Sequence, residues 1–253
     1  MNPSSEVEVY ENFAVERADR IATVTLNRPE KRNPINEAML GEFETILARL
    51  RDDAETRVVI LTGAGSSFCA GADLSVVAGV SDAAERQRIF AESRSRRIRL
   101  ISRTFGMLEQ LEQPTIAAVN GPAVGGGWGL ALACDFQLAV PEARFWFPEV
   151  DLGVPLSMAS TARLFAMVGT ARAKRIILTC SRHSAEELEA WGMIHRIVAP
   201  GSLLGACREL AEQLIDKAPR ALTTSKLHVN ILAAVAAHEG GVYDPDVFIH
   251  RPR

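Results

Sequence analysis

Two short apolar segments, residues 58–62 and 115–119, each run straight into a glycine-rich turn: GAGSSFCAGADL over residues 63–74 and NGPAVGGGWGLALACD over residues 120–135. An unbroken apolar run of this length, closed by glycine, predicts a strand buried on both faces, and such strands belong to parallel sheets with helical crossovers. Eight of the 18 glycines fall within residues 63–71 and 121–129. Glycine concentrated in this way marks backbone that turns sharply or closely approaches another backbone or a ligand. Side by side at the ends of adjacent parallel strands, two such turns can aim two N–H groups at one oxygen. The second also opens a helix, whose positive end favours a developing negative charge.

The remaining pattern fits an α/β fold. Residues 7–17 and 21–27 alternate apolar and polar positions about Ala18 and Arg20, which predicts a β-hairpin. A basic, proline-broken loop, NRPEKRNPIN over residues 27–36, leads into an amphipathic helix over residues 36–52 with Met39, Leu40, Phe43, Ile46, Leu47 and Leu50 on one face. A long helix over residues 82–112 carries Arg86, Arg88, Arg94, Arg96, Arg97, Arg99 and Arg103. Short strands follow at residues 136–140, 144–147 and 194–198, and from Ser157 onward the chain is mainly helical, with breaks at Gly169, Gly192 and Pro219. The simplest division is an α/β core over residues 1–199 and a helical C-terminal region over residues 200–253.

Several function classes are excluded. A chain of 253 residues with 47% apolar residues buries a core without staples. A net charge of −3 lacks the cationic surplus of a general nucleic-acid binder, so an anionic ligand must be met by local basic groups. No GxGxxG, GK[ST] or GxSxG motif is completed. The four cysteines are far apart and read as reduced packing residues, and the five histidines, without ligand spacing, read as surface or capping residues, so neither metal nor cofactor is expected. No signal peptide or membrane span is expected, and the predicted location is the cytoplasm.

Together, NRPEKRNPIN, FCAGADL, NGPAVGGG, CDFQLA, FPEVDLG and GTARAKRIILT resemble the crotonase family, the enoyl-CoA hydratase and isomerase superfamily, over about residues 7–230. The resemblance implies a superhelix of β-β-α units with a helical trimerisation region, assembly as a homotrimer or a hexamer of paired trimers, and an acyl-CoA thioester as substrate. By motif position it implies N–H donors at Ala72 and Gly126, with Ala70, Asp73 and Leu74 beside the substrate. It further implies Arg28, Lys31 and Arg32 near the CoA moiety. Trp128, with Phe145, Trp146 and Phe147, is a candidate for the acyl-pocket wall.

Two glutamates flank the substrate in family hydratases. The first falls here on Gly129, and the second is retained as Glu149. Hydration needs a water held by both carboxylates, whereas moving a double bond from position 3 to position 2 needs one base that takes a proton from C2 and returns it at C4. The expected activity is therefore an enoyl-CoA isomerase with Glu149 as its single acid/base. A hydratase and a silent acyl-CoA-binding protein are the alternatives. Phe145, Trp146, Phe147 and Val150 are expected to desolvate Glu149 and raise its pKa. Asp73 is expected to fix its loop, Asp135 to cap or pair near the next strand, and Asp151 to be structural.

Overall fold

The computed structural model describes residues 6–239. Strands β1 (Glu6–Val9), β2 (Phe13–Ala18) and β3 (Ile21–Leu26) form an antiparallel meander. The expected hairpin is present, with Asp19 and Arg20 both at positive φ in its two-residue turn, the geometry that matches strand twist. Its first arm is not one strand. Tyr10 N–H turns back to Phe13 O, and the Glu42 carboxylate receives the N–H groups of Glu11 and Asn12, which takes that stretch out of the ladder.

Helix α1 (Glu37–Asp52) begins where the Asn36 side chain accepts from Met39 N–H, and it buries the six apolar residues that its 3.6-residue period aligns. Strand β4 (Val58–Gly63) is buried throughout, as is β5 (Thr115–Val119), with the long α2 (Ala83–Glu109) between them. After β5 come β6 (Ala123–Val124), α3 (Gly126–Leu132), β7 (Phe136–Ala139) and β8 (Arg144–Trp146). The chain continues through α4 (Met158–Thr179, broken by the non-helical Gly169), β9 (His183–Ser184), α5 (Ala185–Ala190) and β10 (Arg196–Ile197). Helices α6 (Leu203–Ile215) and α7 (Pro219–Glu239) complete the described chain.

The main sheet has the order β1-β2-β3-β4-β5-β7-β10 and is parallel from β3 onward. A second sheet, β6-β8-β9, takes its strand β6 from the second glycine-rich segment. Helix α6 packs on β4, β5 and β7 and adds Leu203, Ala206, Cys207 and Ala211 to the common core, while α7 packs on α4. The four cysteines are free and buried. Among the described residues one histidine departs from expectation: His183 is buried, bonded to Ser181 and Glu187 and ringed by Trp128 and Trp191. Among the described residues no helix is long and apolar enough to cross a membrane.

Candidate active site

The two glycine-rich turns meet because β4 and β5 are adjacent and parallel, so both turns leave from the same end of the sheet. Three backbone contacts bind the 27–36 loop to the first turn: Ala70 N–H to Arg32 O at 2.9 Å, Ile35 N–H to Gly71 O at 2.7 Å and Asp73 N–H to Ile35 O at 2.8 Å. Successive groups of an extended strand point to alternate sides. Ala72 N–H therefore faces away from Ile35, and it has no acceptor among the described residues.

Gly126 is the first residue of α3, so its N–H is one of the donors a helix leaves unpaired at its start. Gly125 just before it donates to Trp146 O at 2.9 Å. The two turns touch through backbone. A Cβ on Gly71 would lie 2.5 Å from Val124 O and 3.7 Å from Gly126 N, and at φ +81° this position accepts little but glycine.

A cavity of about 310 Å³ opens here, lined by Ala70, Gly71, Ala72 and Leu74 from the first turn, Val124 to Gly126 from the second, and the 148–160 segment beyond β8. Its walls are mostly apolar. Glu149 enters from a turn closed by Val154 N–H to Glu149 O at 2.9 Å. Its Oε2 is fully enclosed and has no hydrogen-bond partner among the described residues. Burial raises its pKa from 4.5 to about 7, against a smaller opposing effect of a backbone hydrogen bond.

The basic loop divides. Arg28 reaches across to Asp73, with Nη1 3.1 Å from Oδ2, and Asp73 also accepts from Ser75 N–H at 3.0 Å. Burial alone would raise the Asp73 pKa, but the bonds from Ser75 and Arg28 outweigh it and hold the carboxyl below its ordinary value. Lys31 and Arg32 are exposed beside this strut. Asp135 receives Thr115 N–H and the Lys226 ammonium, each within 2.8 Å, and Asp151 is exposed. On α2, Arg103 pairs with Glu44 and Arg88 with Glu85, whereas the side chains of Arg86, Arg94, Arg96 and Arg97 and the tail from Gly240 lie outside the described residues.

The expected aromatic wall is a correction. Trp128 is completely buried and stacks on Phe147 at 4.5 Å and tilts against Phe145 at 5.6 Å, and none of Trp128, Phe145, Trp146 and Phe147 lines the cavity. The helix period is the reason: two residues after Gly126 is about 200° around α3, the side that faces the core. Of the residues expected to desolvate Glu149, Val150 is exposed, and the backbone of Gly125 lies against the carboxyl.

Gly129, three residues on from Gly126, returns to that helix's first face. A Cβ there would meet Ser160 Oγ at 2.5 Å, so the space of the missing side chain is taken by Ser160 and not by Trp128. Ser157 and Ser160, both at the cavity, were not among the expected site residues. The available signal was a helix start after Pro155, with Ser157 as the cap and Ser160 at the third helical position, where capping pairs place a polar side chain. The arrangement as a whole offers two free N–H donors, a helix terminus and one raised carboxyl around an apolar cavity. Such a set stabilises an anion formed on a carbonyl oxygen while one carboxylate moves a proton.

Comparison with known proteins points the same way. The profile of the enoyl-CoA hydratase/isomerase family matches residues 16–249. The short-chain-enoyl-CoA hydratase of Clostridium acetobutylicum is 39% identical over 220 residues, 87% of this chain and 81% of that protein. Among solved structures, an enoyl-CoA hydratase from Bacillus anthracis superposes with a TM-score of 0.76 at 36% identity, covering 91% of each chain. A monofunctional enoyl-CoA isomerase from M. smegmatis superposes with a TM-score of 0.74 at 31% identity, covering 91% of this chain and 98% of that one.

Proposed function

The chain belongs to the enoyl-CoA hydratase/isomerase family and is an enzyme of the crotonase type, and from that premise we propose that it moves the double bond of a 3-enoyl-CoA to position 2. The thioester oxygen accepts from Ala72 and Gly126 N–H. Glu149 takes a proton from C2, breaking that C–H bond, and the electron pair moves through C2 and the carbonyl to give a dienolate. The protonated carboxyl then returns the proton at C4 as the double bond settles between C2 and C3. No water, oxidant or cofactor enters this balance. Arg28 holds the first donor loop through Asp73, with Lys31 and Arg32 beside the path of the CoA phosphates. Assembly as a homotrimer or a dimer of trimers is part of the same proposal.

The observation that carries the reading is that, among the described residues, a single carboxyl lines the cavity: Glu149 is partly buried and raised to about 7, while the other carboxylate position of a hydratase is Gly129. The names of the hydratase relatives favour a second reading, hydration of a 2-enoyl-CoA with water held by Glu149 and a neutral group. Deuterium exchange at C2, followed beside isomerisation of a 3-enoyl-CoA and hydration of a 2-enoyl-CoA, separates the two. Exchange and isomerisation that vanish in Glu149→Gln while acyl-CoA still binds are the expected outcome; hydration without isomerisation overturns it. Acyl-CoA binding with no exchange identifies a silent binder instead.

A further inference from the structure

We infer that Ser160 is a specificity-determining residue: its side chain takes the space a side chain at position 129 would need, so the cavity presents a neutral hydroxyl there and favours proton transfer over addition of water. The inference rests on the isomerase reading and adds a residue to it.

The packing is tight. A Cβ at position 129 would lie 2.5 Å from Ser160 Oγ, 3.4 Å from Ser160 Cβ and 3.3 Å from Phe105 Cε2, and both side chains are buried to within 1% of completely. Rotation does not easily clear the space. Ser157 Oγ donates to Ser160 Oγ at 3.0 Å and accepts Ser160 N–H at 3.3 Å, so the cap of α4 fixes the hydroxyl where it stands. Ser160 lines the same cavity as Glu149, and Gly129 does not.

The chemistry follows from the exchange. A carboxylate can accept a hydrogen from a water and take up a proton, whereas an alkyl hydroxyl is too weak a base to do the second. With Ser160 in place, the only group at the cavity wall able to accept a full proton among the described residues is Glu149. Proton return to C4 needs no second base, but activation and orientation of water does. Restoring a carboxylate at position 129 therefore requires that Ser160 be reduced as well, and the two positions act as one determinant on α3 and α4.

A melting cycle and an activity cycle test this. Gly129→Ala is expected to lower the melting temperature by several degrees in the otherwise native protein and to be nearly neutral or stabilising in the Ser160→Gly background; equal losses in both backgrounds overturn the inference. For activity, the ratio of 2-enoyl-CoA hydration to 3-enoyl-CoA isomerisation is measured in the native protein, Gly129→Glu and Gly129→Glu/Ser160→Gly. The double variant is expected to raise the ratio by at least about tenfold over both others. A single Gly129→Glu variant that hydrates as well as the double one overturns the inference. A native protein that hydrates without isomerising overturns the isomerase reading itself, and the melting cycle still scores the Gly129 and Ser160 contact separately.

Discussion

The carboxyl of Glu149 lies against the backbone of Gly125, so closely that a methyl group on Gly125 would sit 2.7 Å from Glu149 Oε1. Gly125 has φ +52° and ψ −122°, a conformation that side chains disfavour, and it immediately precedes the free N–H of Gly126. The proposed base and one proposed oxyanion donor are thus set relative to each other by one residue. Gly125→Ala is expected to cost about 1–3 kcal/mol of stability and to move the carboxyl. In steady-state kinetics kcat should fall at least about tenfold with a smaller change in KM, because geometry is lost more than binding. Unchanged kcat would show that the contact does not position Glu149.

The raised pKa of Glu149 gives two pH profiles of opposite sign. Abstraction of the C2 proton needs the carboxylate, so kcat/KM should climb about tenfold per pH unit below about 7 and level off above it. Stability runs the other way. The folded pKa lies above the unfolded one, so the folded state holds the proton through the window from about 4.5 to about 7, and stability falls as pH rises through it. At about 1.4 kcal/mol per pH unit the full effect is roughly 3 kcal/mol. Urea denaturation of Glu149→Gln should show little gain over the native protein at pH 4.5 and a gain approaching that size at pH 8. A difference independent of pH would place the carboxyl in contact with water.

A backbone donor can be deleted without deleting a side chain. Gly126 is the first residue of α3, where proline's fixed φ and missing N–H are tolerated. Its Cβ would approach only the tip of the Ile35 side chain, at 3.2 Å. Gly126→Pro should therefore fold, bind acyl-CoA, and lose about 10²–10³-fold in kcat. C2 deuterium exchange should fall in parallel, since the lost donor acts on the enolate. Retained exchange would remove Gly126 from the oxyanion site.

Much of this was legible in the sequence because it is periodic. The α1 face, the buried strands β4 and β5 and the entry into α3 follow from spacing alone, and Gly71 and Gly125 were visible as glycines before their φ angles were known. What escaped has no local signature. Strands β6 and β9 are two residues each and are defined by long-range pairings, both with β8 and β6 also with Cys69. Ser160 is one serine among many until α4 is laid against α3 and its hydroxyl meets the empty side of Gly129. Trp128 is next to Gly129 in sequence, yet the 100° step of a helix turns its side chain to the core and away from the cavity.

That correction is testable at Trp128 itself. The indole is fully buried between Phe145, Phe147 and His183, and its Nε1 has no acceptor among the described residues. Trp128→Ala should leave a large cavity and cost about 3–5 kcal/mol. Trp128→Phe keeps the stacked ring and removes an unpaired buried N–H, which offsets part of the lost volume, so its cost should stay near about 1–2 kcal/mol. Because the ring lies on the core side of α3, the affinity of Trp128→Phe for acyl-CoA, measured by calorimetric titration, should stay within about twofold of native. A tenfold weaker Kd with stability intact would mean that the acyl chain reaches past α3 to the indole.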